Sequence, residues 1–162
     1  MEQTTTVASR LQAVKDRIAK AARSAGRSPD EITLLVASKT QPPERVREAW
    51  HAGQKIFGEN YLQEALAKMP DLTDLPIEWH FIGPIQSNKT KRITENFVWV
   101  HSVDRIKIAD RLAKDRPESL PPLQICQLGQ FFRSDTAFTI FSAHIDLQAD
   151  LQRRQRLGPV FR

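Results

Sequence analysis

Short apolar runs alternate with helical stretches along most of this chain, and that alternation leaves few folds open. Residues 32–38, 55–57, 77–82 and 97–102 read as strands, and 123–126 as the start of a fifth. Between and before them, residues 6–24, 43–53, 61–69, 88–96 and 105–116 read as helices. In the first, Leu11, Val14, Ile18 and Ala21/Ala22 recur at helical spacing, and Gly26 stops it; Pro43 opens the second and Gly53 ends it. Strands separated by helices through short connections predict right-handed βαβ units and a parallel sheet. The fold class is α/β, and the natural architecture is a partial (β/α) TIM-type barrel of about five βα units.

The first strand also bears on function. It is rich in β-branched residues, and the Ser28-Pro29-Asp30 and Gln41-Pro42-Pro43 turn signals bound it, so it is expected to be buried on both faces. It delivers Lys39 at its exit. In parallel α/β folds, groups at the C-terminal ends of strands face the active site. A lysine desolvated there forms Schiff bases with aldehydes. The alternative is a strand-end lysine reaching for solvent.

At 162 residues the chain has room for one good core and not for two ordinary domains. The net charge of +5 and pI near 9.7 permit weak attraction to phosphates. Acids are interspersed among the basic residues, and no DNA or RNA recognition motif stands out, so no specific nucleic-acid partner is expected. Neither is a metal site. The single cysteine, Cys126, cannot form an internal disulfide. The sequence Met1-Glu2-Gln3-Thr4-Thr5-Thr6 lacks the features of a signal peptide, and no apolar run is long enough to span a bilayer. A cytoplasmic protein without membrane contact is expected.

In a barrel, the loops after successive strands converge at one mouth. Here they carry Lys39 and Thr40, then Glu59 and Asn60, then His80 with residues 86–89 behind it, then His101, Ser102, Asp104 and Arg105. An aldehyde-binding lysine among an amide, imidazoles and hydroxyls describes a cofactor pocket. Each residue also has a purely structural role open to it: Asn60 as a helix N-cap, His80 as a core or rim histidine, Ser102 and Asp104 as caps of the helix after the fourth strand. Gly58 and Gly83 read as backbone devices for turns.

These segments resemble the pyridoxal phosphate homeostasis proteins, the YggS-like group. The resemblance rests on residues 34–40 (LLVASKT), 57–64 (FGENYLQE), 78–89 (EWHFIGPIQSNK) and 101–105 (HSVDR), which follow the signatures of that family in order and spacing. It extends from about Val7 to Gln127. It implies a fold-type III barrel like the N-terminal domain of alanine racemase, with pyridoxal 5′-phosphate as cofactor and Lys39 as the Schiff-base lysine. By the same carry-over Asn60, His80 and Ser102 lie around the cofactor. Members of the family are single-domain, monomeric barrels that influence the supply of this cofactor and the balance of amino and keto acids, without established turnover. Racemases of this fold draw a second proton-transfer group from an added β domain, and a bound cofactor without a positioned acid/base pair serves as a carrier.

After Gln127 the resemblance stops. The segment 128–135 has no strand-loop-helix logic, residues 138–141 form a lone apolar burst, and residues 152–162 are rich in arginine. The Val-Asn, Met-Ser and Arg-Ile-Gly segments of the family are absent from this part, and with them the loops that hold the cofactor phosphate. Read one nucleotide later, a back-translation of Gly129-Gln130-Phe131-Phe132 can spell Val-Asn-Phe-Ser, which implies a frameshift near Gln127 or Leu128, in the gene or its record. The reading divides the chain into a barrel part, 1–127, and an atypical tail, 128–162. Five strands do not close a barrel, so the first and fifth are expected as open edges prone to self-association, with a helix from about 143 to 156 available to cover one.

Four functions remain in order of preference: a cofactor-binding homeostasis protein, a racemase-like or lyase enzyme, a remnant with little cofactor binding, and a basic nucleic-acid-binding module.

Overall fold

The computed structural model describes residues 6–125 and the backbone of 145–146. These residues form two compact units: those up to Gly58 with Gln63–Glu78, and Glu59–Leu62 with those from Trp79 on. The fold is α/β with parallel strand pairs.

In the first unit, helix α1 (Val7–Ser24) begins where the Thr6 hydroxyl accepts the Ser9 N–H at 3.1 Å. It ends in a Schellman motif: Arg27 N–H donates to Ala22 O at 2.9 Å and Gly26 N–H to Arg23 O at 3.0 Å, with Gly26 at φ +69°. Helix α2 (Pro43–His51) closes the same way, through Gln54 N–H to Ala49 O at 3.0 Å and Gly53 at φ +89°. Both glycines are helix stops, as their positions in the sequence imply. The buried stripe of α1 carries Leu11 and Ala22, with Ile18 half-buried and Val14 and Ala21 exposed. Val14 and Ala21 fall on the margin of that stripe.

Strand β1 (Val36–Ala37) pairs in parallel with β2 (Ile56–Glu59), Val36 opposite Phe57 and Ala37 opposite Gly58. Ser38 N–H extends the ladder to Gly58 O at 2.9 Å. Gly58 is therefore a strand residue and not a turn device. The strand expected over 32–38 is cut short because the buried Gln54 amide donates to Leu34 O at 2.8 Å and to Ile56 O at 2.6 Å, replacing strand pairing there. Nor is β1 buried on both faces: Val36 is half-buried and Ala37 exposed. Phe57, Val46, Ala65 and Leu72 form the core of this unit, with fully buried Phe57 contributing about 1.5–3 kcal/mol. Helix α3 (Leu62–Lys68) runs into a 3₁₀ turn, Met69–Leu72.

In the second unit, β3 (Glu78–Phe81) pairs in parallel with β4 (Trp99–Val100), His80 opposite Trp99. Strand β4 pairs in parallel with β5 (Gln124–Ile125). Helices α4 (Thr90–Asn96) and α5 (Ile106–Asp115) pack on each other, with Ile93, Ile108 and Leu112 buried; Phe81, Phe97 and Val100 of the same unit are buried as well, the two phenylalanine rings meeting edge to face. Arg105 is the N-cap of α5 without a side-chain cap, and Asp104 pairs instead with Arg105 at 3.1 Å, so neither Ser102 nor Asp104 caps that helix.

Backbone pairing continues past β5. Strand β6 (Ile145–Asp146) lies antiparallel to it, Gln124 opposite Asp146 and Ile125 opposite Ile145. The expected open edge at the fifth strand is thus occupied, and residues 145–146 are strand where a helix was expected. Unpaired N–H and C=O groups of an edge recruit whatever extended chain reaches them. The proposed frameshift point near Gln127 and Leu128, residues 128–144 and the end of the tail lie outside the described residues. Among the described residues, no helix is long and apolar enough to cross a membrane.

Candidate functional site

Lys39 occupies the first unit, in a turn held at several points. Gln41 N–H donates to Ser38 O at 3.1 Å, making Lys39 the second of four turn residues, and Thr40 takes φ +60°. A β-branched residue in the left-handed region is strained, and such strain persists only where surrounding bonds fix it. Here they do. The Glu64 carboxylate accepts the Thr40 N–H, and the buried Lys68 ammonium donates to Ser38 O at 2.8 Å and to Glu64 Oε1 at 3.2 Å. Ser38 is itself buried and bonded to Gly58 O through both its N–H and its hydroxyl. Lys39 is exposed. Of the two readings the sequence leaves open, a desolvated amine and a strand-end lysine reaching for solvent, the structure has the second, because β1 is short and not buried on both faces.

Asn60, His80 and Ser102 belong to the second unit. Asn60 follows β2 and is half-buried, and its Oδ1 is buried with no hydrogen-bond partner among the described residues. Its carbonyl lies against Gly83, where a Cβ would stand 1.9 Å from it. Ser102 is half-buried beyond β4.

His80 is buried on β3 and stacks on Trp99 of β4, ring centroids 5.5 Å apart, and on His101, 5.1 Å apart. Its Nδ1 lies 2.9 Å from His101 Nε2. One of those nitrogens must donate and the other accept, so the rings cannot both be fully protonated there. Burial, and after it the charge of His80, push the His101 pKa down from 6.5 to about 4. In the unfolded chain His101 returns to about 6.5, so the unfolded state holds the extra proton between these values. The contribution to stability is full above pH 6.5 and lost as pH falls toward 4. Allowing for partial exposure of the ring, unfolding free energy should fall by about 1 kcal/mol between about pH 7 and pH 5 from this group. Urea unfolding of wild type and His101→Gln at both pH values measures it; an equal pH dependence in the two proteins would refute the assignment.

Among the described residues, no group of three or more His, Cys, Asp and Glu could hold a metal. The first unit presents an exposed amine on a fixed turn. The second, taken by itself, holds an amide oxygen with no hydrogen-bond partner among the described residues and a stacked aromatic face. Sequence reasoning missed Glu64 and Lys68, although their i,i+4 spacing marks them as a pair. Trp99, central to the stack, is signalled only by its position opposite His80.

No family model matches the chain. A pyridoxal phosphate homeostasis protein of Pseudomonas aeruginosa is 60% identical over 121 residues, 75% of this chain and 53% of the relative. Another, from Escherichia coli K12, is 50% identical over 122 residues, 74% of this chain and 52% of the relative. The chain thus spans about half the length of the curated relatives it matches. Among solved structures, PipY of Synechococcus elongatus PCC7942 with PLP bound is 45% identical, with TM-score 0.53 over 60% of this chain and 47% of that one. An unknown protein from Bifidobacterium adolescentis is 31% identical, with TM-score 0.63 over 67% of this chain and 48% of that one.

Proposed function

Because this chain is homologous, over 75% of its length, to about half of a pyridoxal phosphate homeostasis protein, we propose that it binds pyridoxal 5′-phosphate as a Schiff base on Lys39. Its role is then in homeostasis of that cofactor, as a carrier and not as an enzyme of amino-acid turnover. The architecture that goes with this reading is part of a (β/α) barrel of the alanine racemase N-terminal type. The observation that carries it is the exposed Lys39 amine on a fixed turn, in a chain 45% identical to a PipY that holds PLP.

The residues fit such a group. The amine condenses with an aldehyde carbon, losing water, and fixing the turn beforehand lowers the entropy lost when the bond forms. The unpartnered Asn60 Oδ1 is an acceptor in need of a donor. Asn60, His80 and Ser102 are proposed as cofactor-binding residues, each to be tested by its own substitution. The free cofactor would supply the aldehyde for that bond and, once held by Lys39, an electron-withdrawing ring.

The test is to incubate the purified chain with pyridoxal phosphate, reduce with borohydride and locate the adduct by peptide mass spectrometry, with Lys39→Ala in parallel. A visible absorption band that disappears in Lys39→Ala, with the adduct confined to Lys39, is the expected result. Adducts scattered over surface lysines, equal in both proteins, would overturn the reading.

A further inference from the structure

From the bonds around the turn we infer that Glu64 and Lys68 are positioning residues for Lys39, one acting on the residue before it and the other on the residue after it. The inference rests on the Schiff-base reading above. Lys68 Nζ holds the Ser38 carbonyl at 2.8 Å, Glu64 holds the Thr40 N–H, and the two side chains join each other at 3.2 Å. Both lie on one face of α3, four residues apart, so one rigid helix grips the peptide units on either side of the lysine.

This arrangement differs from an ordinary surface ion pair in three respects. Lys68 is only 5% exposed, which for a lysine requires partners that hold its charge. Both grips act on backbone, so they set the direction in which the chain leaves β1 and not merely a side-chain rotamer. The residue they fix, Thr40, has φ +60°, a conformation that a β-branched residue abandons when released. A lysine has four side-chain torsions to search, and an unfixed turn would add the backbone torsions to that search. Holding residues 38 and 40 removes the backbone part before any ligand arrives.

The chemistry assigned to the pair is indirect. Neither residue takes part in the condensation itself: the Lys39 nitrogen attacks the aldehyde carbon, the carbonyl oxygen leaves as water, and the proton balance closes through solvent. Glu64 and Lys68 raise the fraction of molecules in which that nitrogen is presented in one orientation.

The test uses the full chain with the substitutions Lys68→Met, Glu64→Ala and Glu64→Gln. The glutamine retains an oxygen able to accept the Thr40 N–H and serves as the conservative variant. Two readouts are taken: hydrogen exchange of the Thr40 and Gln41 amides without cofactor, and the borohydride-fixed adduct at Lys39 at a fixed, sub-saturating pyridoxal phosphate concentration, normalised to the exposed Lys107 and Lys114. Lys68→Met and Glu64→Ala should speed exchange at both amides and lower the Lys39 adduct about tenfold, the equilibrium equivalent of one hydrogen bond to a charged group. Glu64→Gln should stay within about threefold of wild type on both readouts. A general loss of structure would expose many amides and raise the reference adducts, whereas a positioning effect moves only Lys39 and its turn. If wild type forms the Lys39 adduct and Lys68→Met and Glu64→Ala form it equally well, the positioning role is overturned and the Schiff-base reading stands. If wild type itself forms no selective Lys39 adduct, the Schiff-base reading falls, and the positioning role with it.

Discussion

Replacing Gly83 by alanine should destabilise the second unit by about 3 kcal/mol or more, among the largest effects available to one methyl group. A Cβ at this position would lie 1.9 Å from the Asn60 carbonyl oxygen, 2.6 Å from the Asn60 carbonyl carbon and 2.8 Å from its Cα. All three are backbone atoms, so no side chain can rotate away. The approach is close because Ile82 N–H donates to Glu59 O at 2.9 Å, bringing the chain after β3 against the chain after β2 one residue before the clash. The glycine is needed for closeness and not for a left-handed φ, which sets it apart from Gly26. Gly26 has φ +69° and nothing within 4 Å of a built Cβ, so Gly26→Ala should cost only about 1–2 kcal/mol of left-handed strain. Urea unfolding of both variants separates the two mechanisms. Equal losses would show that the backbone near Asn60 yields easily, and the close-approach account would fail. Because that backbone carries Asn60, whose Oδ1 has no hydrogen-bond partner among the described residues, Gly83→Ala should also displace that oxygen.

Much of this was legible in the residues, and the reasons for the remainder are specific. Helix stops at Gly26 and Gly53 follow from local chemistry alone, since a Schellman motif needs a left-handed residue just past the last turn. The order of strands and helices follows from periodicity, and its parallel pairing from the lengths of the connections. The extent of β1 was not legible. Leu34 looks like strand from its neighbours, yet its carbonyl is taken by the amide of Gln54, twenty residues on, and no local pattern announces that bond. For the same reason the sequence leaves Lys39 open between a desolvated amine and one reaching for solvent, since an apolar run says what a strand could bury and not what covers it; the structure has it exposed. Ser102 and Asp104 had good capping chemistry, but the chain enters α5 at Arg105 in extended conformation, and Asp104 turns to Arg105. Glu64 and Lys68 were hidden in another way. Their spacing suggests a solvated helix pair, while their distinguishing partners are backbone groups of a turn more than twenty residues away.

Arg116 should prove as sensitive as Gly83, although its chemistry is opposite in kind. Its side chain is 8% exposed, and the guanidinium donates to Thr94 O and, at 2.8 Å each, to Phe97 O and Pro121 O. Thr94 and Phe97 end α4, so this buried cation caps a helix C-terminus, where the carbonyls lack helical partners and the dipole favours positive charge. The neighbouring Asp115 ties the same helix, accepting the Thr90 hydroxyl at 2.6 Å through its carboxylate and the Thr94 hydroxyl at 3.0 Å through its carbonyl. Arg116→Met keeps most of the apolar stem and removes every donor, leaving buried carbonyls unmatched at about 1–3 kcal/mol each. The expected loss is about 3 kcal/mol, and Arg116→Lys should recover only part of it, because an ammonium cannot reproduce the fixed fork of a guanidinium. Thermal and urea unfolding measure both variants. If Arg116→Met were as stable as wild type, water would have to replace the guanidinium at those carbonyls, and the cap would be dispensable. The residue lies far from Lys39 in sequence, yet it fixes the end of the helix that leads into β4, and so bears on where Trp99 and His101 stand.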